Sequence, residues 1–205
     1  AGLSLSRIAE TSSQALAFSP YETYILSGQD TRVGLIARAR EGRETEVKQA
    51  LLVLGNPREA ELLKESGISN LACFTRTINS NTWYFVYFEY GGEKNYLSAA
   101  EAFEAASPTT VQLSESLLPA GEKDVRPRWT QMEWISFIRG KNILDNPRAK
   151  LSMVTILKPE KELQYRAMHQ AVWPGVVDQI IRSNNRNFSA FLCEIDSELY
   201  EFLYV

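Results

Sequence analysis

The sequence predicts an α+β fold made of two tandem copies of one strand–helix–strand–strand unit, with antiparallel sheets face to face and helices outside. Three observations carry this. The chain repeats part of itself, both copies run through the same order of hydrophobic patterns, and one strand is apolar at every position.

The repeat comes first, because a missed repeat misassigns a whole fold. Asn70 to Phe88 aligns with Asn187 to Val205 at an offset of 117 without a gap. Asn70/Asn187, Phe74/Phe191, Ile78/Ile195, Ser80/Ser197, Phe85/Phe202 and Tyr87/Tyr204 are identical. Most other positions keep their apolar or polar character.

Each copy opens on an apolar run, Val33 to Ala39 and Leu151 to Leu157, which reads as a strand. A long helical pattern follows, over 43–66 and 160–183. Two further apolar runs are then joined by Asn79-Ser80-Asn81 or Asp196-Ser197-Glu198. These residues tolerate the left-handed backbone that a tight hairpin requires. Strand, helix, strand, strand opens the split βαβ, or ferredoxin-like, unit. The first copy continues through a short Ala-rich helix, Tyr96 to Ala106, and a connection containing Pro and Ser. Met132 to Ile138 then supplies its fourth strand. The expected organisation is an extension over 1–30, a first unit over 31–140 and a second over 149–205.

The run Trp83 to Phe88 is apolar or aromatic throughout. A strand covered on one face alternates, so a continuous run implies cover on both. The second copy stops at Val205, inside the strand that matches Thr82 to Tyr90. A strand ending there is expected to leave an open edge and bare apolar surface. The reading is that the natural chain continues, the alternative being cover from another chain.

Composition limits the function classes. Apolar residues at 44% and charged residues at 23% suit a packed globular domain rather than a disordered chain. A net charge of -3 supplies no basic stripe, so nucleic acid is not an expected partner. No apolar run approaches the roughly 20 residues of a membrane span. Cys73 and Cys193 lie in strand-like runs and read as buried free thiols, not a disulfide framework. With one histidine in the chain, a zinc site of the usual kind is not expected. Residues 1–30 are rich in serine (Ser4, Ser6, Ser12, Ser13, Ser19) and lack a secretory pattern. A cytoplasmic protein is the expectation, with an already removed export signal as the alternative. The run Arg40, Glu41, Arg43, Glu44, Glu46, Lys48 reads as a solvated helix face. Gly91-Gly92 reads as a turn, because it lacks a phosphate-cradle pattern.

The helix of the second copy carries the candidate chemistry. Tyr165, His169 and Trp173 are spaced by four and share a helix face. Pro174 interrupts the hydrogen-bond ladder, so a break is expected at Trp173-Pro174. Val176, Val177, Ile180 and Ile181 should carry the core face beyond it. A lone helical histidine is most often a surface or satisfied core residue. Tyr165 and Trp173 also fit as core aromatics.

Tyr-x3-His-x3-Trp-Pro on the first helix of such a unit resembles the signature of the L-rhamnose mutarotase family. Leu151 to Pro159 is similar to that family's first strand, and Asn187 to Val205 to its central hairpin. Arg126 to Ile138 is similar to its closing segment. The resemblance covers most of residues 31–205 and implies a fold of the dimeric α/β-barrel type. It also implies interconversion of α and β sugar anomers without metal or organic cofactor. His169 would be the principal acid/base and Tyr165 a second proton donor or hydrogen-bond partner. Trp173 would wall a sugar face, and Arg166 would contact substrate. The expected partner is a small sugar, and the two copies would pair as an internal pseudo-dimer, with a further homodimer left open. Ala167, Met168 and Gly175 depart from the family pattern. In the first copy Val47, Leu51 and Gly55 stand where Tyr165, His169 and Trp173 do, so that copy reads as degenerate. A non-catalytic carbohydrate-binding or assembly protein and a cofactor-free monooxygenase are the rival readings.

Overall fold

The strands and helices follow from where apolar periodicity meets turn and cap residues. The computed structural model describes residues 31–91, 99–121, 123–138 and 149–205. The 1–30 extension, Gly92 and the start of the helix expected from Tyr96 lie outside them. The order begins with β1 (Thr31–Ala39), α1 (Glu44–Val53), α2 (Pro57–Glu65), β2 (Ile68–Ile78) and β3 (Asn81–Tyr90). It continues with α3 (Ala99–Ala105), α4 (Pro108–Glu115), β4 (Leu117–Leu118), β5 (Thr130–Gln131) and β6 (Glu133–Ile138). It closes with β7 (Ser152–Ile156), α5 (Glu162–Gln170), α6 (Pro174–Arg182), β8 (Phe188–Ile195) and β9 (Glu198–Tyr204).

The helix expected over 43–66 is two helices. Pro57 sits at the first position of α2, where its missing N–H costs nothing. The expected break at Trp173-Pro174 is present, with Pro174 opening α6. Asn56 and Trp173, the residues before the two prolines, share an extended backbone with ψ of 145° and 136°. Trp173 thus matches Asn56 in backbone conformation, whereas the sequence comparison pairs it with Gly55. The connection expected after residue 106 contains a helix, α4. Ser107 caps it through a reciprocal box with Thr110, and Pro108 starts it.

Backbone conformation repeats at the interval of the sequence repeat. Asn79 and Ser80 have φ of 48° and 65°, and Asp196 and Ser197 have 52° and 66°. Two successive positive values give a two-residue hairpin turn whose twist suits the flanking strands. Asn70 and Asn187 share a φ of 52°.

The strands form two sheets. The five-stranded one has the order β2-β3-β1-β4, with β5 also on β1. β1 runs antiparallel to β3, β4 and β5, and β2 antiparallel to β3. The four-stranded one has the order β6-β8-β9-β7. This corrects two expectations. Of the expected fourth strand only Met132 stays beside β1, its N–H on the Gly34 carbonyl at 2.9 Å, because Leu117–Leu118 and Thr130–Gln131 hold that edge. β6 instead extends the other sheet beside β8. The strand approaching Val205 is not an open edge either, since β9 lies between β8 and β7. Leu151 and Val205 exchange both backbone hydrogen bonds, at 3.0 and 3.1 Å.

The chain divides into two compact units, one of Asp30–Trp134 with Phe191–Tyr200, the other including Ile135–Ala190 with Glu201–Val205. In the former, every residue from Trp83 to Phe88 is buried, as the continuous apolar run requires. Alternate side chains serve different neighbours. Tyr84, Val86 and Phe88 join Val33, Leu35, Val47, Leu51 and Phe103 in one core. Phe103 stacks on Phe88 at 5.4 Å and meets Trp129 edge-on at 5.6 Å. On the opposite face Phe85 and Tyr87 meet Phe191 edge-on, at 6.1 and 6.2 Å.

Gly34 of β1 lies on that opposite face. A Cβ there would stand 2.8 Å from Met132 Cε and 2.9 Å from the Phe191 ring. Gly34→Val is expected to destabilise the fold by about 1–3 kcal/mol through overpacking, checked by the denaturation midpoint.

The other unit is less filled. Of the four residues expected on the core face of α6, Val177 is buried, Ile180 and Ile181 are half-buried, and Val176 is exposed. Leu151, Met153, Ile156, Leu163 and Met168 are exposed as well. Both cysteines are free thiols, but Cys73 is only half-buried. Burial, helped by the neighbouring Glu194 charge, pushes the Cys193 thiol up to about 12. In the charged run, Arg40 lies outside α1 and binds Asp124 through both carboxylate oxygens at 2.9 Å. Among the described residues no helix is long and apolar enough to cross a membrane.

Candidate active site

α5 presents Tyr165 and His169 from successive turns toward the same side. A short 3-10 turn over Pro159–Lys161 leads into the helix. Four-residue spacing brings the two rings together, with centroids 4.5 Å apart and planes tilted by 55°. Both residues are half-buried. The face they share was legible in the spacing; what stands opposite was not.

Opposite them is Glu201 of β9. Its side chain is 3% exposed, against 15% for that of His169, and Oε1 lies 3.4 Å from His169 Nε2. The Tyr165 hydroxyl donates a hydrogen bond to the same carboxylate. Among the described residues, Glu201 Oε1 and His169 Nδ1 are buried without a hydrogen-bond partner. Buried polar atoms are usually paired, so these two leave hydrogen-bonding capacity at the cluster that the fold does not use. Glu201 leaves a trace in the sequence, as the one charged residue in Leu199-Tyr-Glu-Phe-Leu-Tyr204. A carboxylate inside an apolar strand needs a buried partner.

The electrostatics follow from burial. Desolvation holds His169 below the ordinary histidine range. Desolvation raises Glu201, while the hydrogen bond from Tyr165 opposes the rise. The Tyr165 phenol is pushed well above its usual value, first by burial and then by Glu201's hydrogen bond and charge. At neutral pH Tyr165 is therefore a proton donor and the imidazole of His169 a base.

The other two expected residues stand differently. Arg166 Nε pairs with Glu162 Oε1 at 2.8 Å, one turn back on the helix. Trp173, between the helices, is 72% exposed and is not gathered against Tyr165 and His169. A side chain at Gly175 would meet nothing within 4 Å, so that position opens to free space. Among the described residues, no group of three His, Cys, Asp or Glu side chains could hold a metal.

At the positions that the sequence repeat matches to this cluster, side chains earlier in the chain pack into a core. Tyr84 stands 117 residues before Glu201, fully buried, and its hydroxyl donates to the Glu44 carbonyl at 3.1 Å. Val47 and Leu51 are core residues.

An α+β protein with antiparallel sheets, consistent with a ferredoxin-like fold, thus carries a His–Tyr–Glu cluster between a helix and a strand, its carboxylate buried and its two rings half-buried. Residues 150–205 match the family model for L-rhamnose mutarotase. That match covers both α5 and β9, and so all three residues of the cluster. No curated protein matches the chain.

Proposed function

We propose that the protein is a mutarotase-like isomerase that interconverts the α and β anomers of L-rhamnose or a related monosaccharide. The observation that carries this reading is the pairing of His169 with Tyr165 inside the matched segment. Exchange of anomers needs a base for the anomeric hydroxyl and an acid for the ring oxygen. His169 accepts the hydroxyl proton while the Tyr165 hydroxyl turns from the Glu201 carboxylate to donate to the ring oxygen. The bond from the anomeric carbon to the ring oxygen breaks and a carbonyl forms. Rotation about the bond to the anomeric carbon and reversal of the two proton transfers close the ring on the other face. Atoms and protons balance over the cycle, and both side chains regain their starting states. Acid–base assistance of this kind contributes roughly 10²–10⁴-fold.

We further infer that the chain is a tandem duplication whose first copy is structural. Three residue pairs at one interval share left-handed backbone, and both copies start a second helix on proline. The Asn79 amide donates to Asp196 Oδ2 at 3.1 Å, which joins equivalent turns. This supports pairing of the copies as an internal pseudo-dimer. Loss of histidine from the first copy leaves one competent site per chain.

Saturation-transfer NMR on the anomeric protons of L-rhamnose tests the function. Protein at micromolar concentration is expected to accelerate transfer between the two anomeric signals. A rate equal to that in buffer removes the mutarotase reading. Sugar contacts without exchange favour the non-catalytic carbohydrate-binding one.

A further inference from the structure

We propose that Glu201 is the positioning residue of this site, its carboxylate anchoring the Tyr165 hydroxyl and fixing the tautomer of His169 with hydrogen on Nε2. Its catalytic consequence rests on the mutarotase reading; its structural content does not.

The geometry carries the proposal. Glu201 is buried on β9, and α5 places both other groups against it. A hydroxyl is held by the carboxylate while Oε1 faces Nε2 at 3.4 Å. Negative charge at that distance favours hydrogen on the facing nitrogen, and the partner of one ring nitrogen decides the state of the other. Nδ1 is then left as the lone-pair nitrogen. It is buried with no hydrogen-bond partner among the described residues, so the fold leaves its lone pair unused. Tyr165 from its own helix and Glu201 from β9 are the titratable groups that face His169 among the described residues. Arg166, one turn from the N-terminal end of the helix, is turned to Glu162.

A purely packing role gives a different expectation. Tyr84, the equivalent residue, fills its place as an aromatic core side chain. A glutamate kept only to fill space would influence neither the charge nor the tautomer of the imidazole, and Glu201→Gln would substitute for it without consequence.

His169 is the one histidine of the chain, so its imidazole can be followed without assignment of others. The experiment is a pH titration by long-range ¹H–¹⁵N correlation on the whole protein and on Glu201→Gln. The unaltered protein is expected to show the Nε2–H tautomer in its neutral state. Loss of the carboxylate charge should lower the titration midpoint of His169 by one pH unit or more, about a tenfold change in proton affinity. Neutral tautomers should become mixed. Tyr165→Phe serves as a second variant if Glu201→Gln fails to fold. It removes the hydrogen bond that favours the carboxylate form, so it should move the midpoint in the same direction by less.

An unchanged midpoint and tautomer in the folded variants overturns the proposal, even if anomer exchange is observed. A shifted midpoint in a protein without anomer exchange upholds the positioning role and removes the mutarotase reading instead. Where exchange is observed, Glu201→Gln should slow it by up to about 100-fold, as for misplacement of a reacting group. Glu201→Asp, which retains the charge, should restore the tautomer.

Discussion

Replacing His169 with alanine is expected to lower protein-catalysed anomer exchange by about 10²–10⁴-fold, the contribution of a well-placed acid–base group. The chain holds no second histidine, and Leu51, which the sequence comparison pairs with His169, is a core residue. No other imidazole can therefore take over the proton. The pH profile gives a second check. His169 must be in its basic form to accept the hydroxyl proton. Burial holds it below the ordinary value of 6.5, so the basic form persists into more acid solution. The acid limb of the rate should therefore have its midpoint below pH 6.5, and the rate should be lost as pH falls through it. Tyr165→Phe keeps the ring beside His169 and removes the donated proton. It should slow exchange while leaving the acid limb in place or moving it further to acid. A His169→Ala protein that retains full activity would falsify the acid–base assignment. Such a result would not touch the fold, since His169 is only half-buried.

How much of this could be read in the sequence depends on the kind of signal. The hairpins were legible because Asn79-Ser80 and Asp196-Ser197 supply the backbone freedom that the turns demand. Burial of Trp83 to Phe88 was legible because a half-exposed strand alternates and this one does not. The break before Pro174 followed from the chemistry of proline, and the same reasoning applied to Pro57 would have split the first helix. Strand partners were another matter. Met132 to Ile138 reads as a strand in any context, and local pattern does not say which sheet edge is vacant. Four residues, Leu117–Leu118 and Thr130–Gln131, are too few to show periodicity, yet they occupy the edge of β1 and send β6 elsewhere. Helical spacing gave half of the candidate site, Tyr165 beside His169. It could not give Glu201, which arrives from a strand more than thirty residues later, and only its anomalous charge in an apolar run marked it. Trp173 was assigned by motif, but the break that its proline causes turns it into solvent.

The same reasoning about a buried carboxylate applies to Glu104, where the expected effect is on folding. The Ala-rich amphipathic pattern of α3 did not distinguish Glu104 from its exposed neighbour Glu101, yet Glu104 is buried. Its Oε1 accepts the backbone N–H of Trp129 at 3.1 Å and that of Arg128. Its Oε2 faces Arg126 Nη1 at 3.7 Å. One side chain thus satisfies two backbone donors and holds the segment that delivers Trp129 to Phe103. Glu104→Ala leaves both amides without an acceptor, and each such loss costs about 1–3 kcal/mol. The expected destabilisation is about 3 kcal/mol, with some loss of Trp129 packing added. Glu104→Gln keeps an oxygen that can accept from both amides and gives up only the charge toward a half-exposed arginine. It should cost less than about 1 kcal/mol, the scale of an exposed ion pair. Urea denaturation followed by tryptophan fluorescence compares the two. Equal losses for alanine and glutamine would mean that the Arg126 pair, not the backbone amides, is what Glu104 contributes. A large gap between them makes this carboxylate a backbone clamp. The contrast with Glu201 is then chemical. Glu104 accepts from backbone donors that the fold itself supplies, whereas Glu201 faces the side chains of the candidate site.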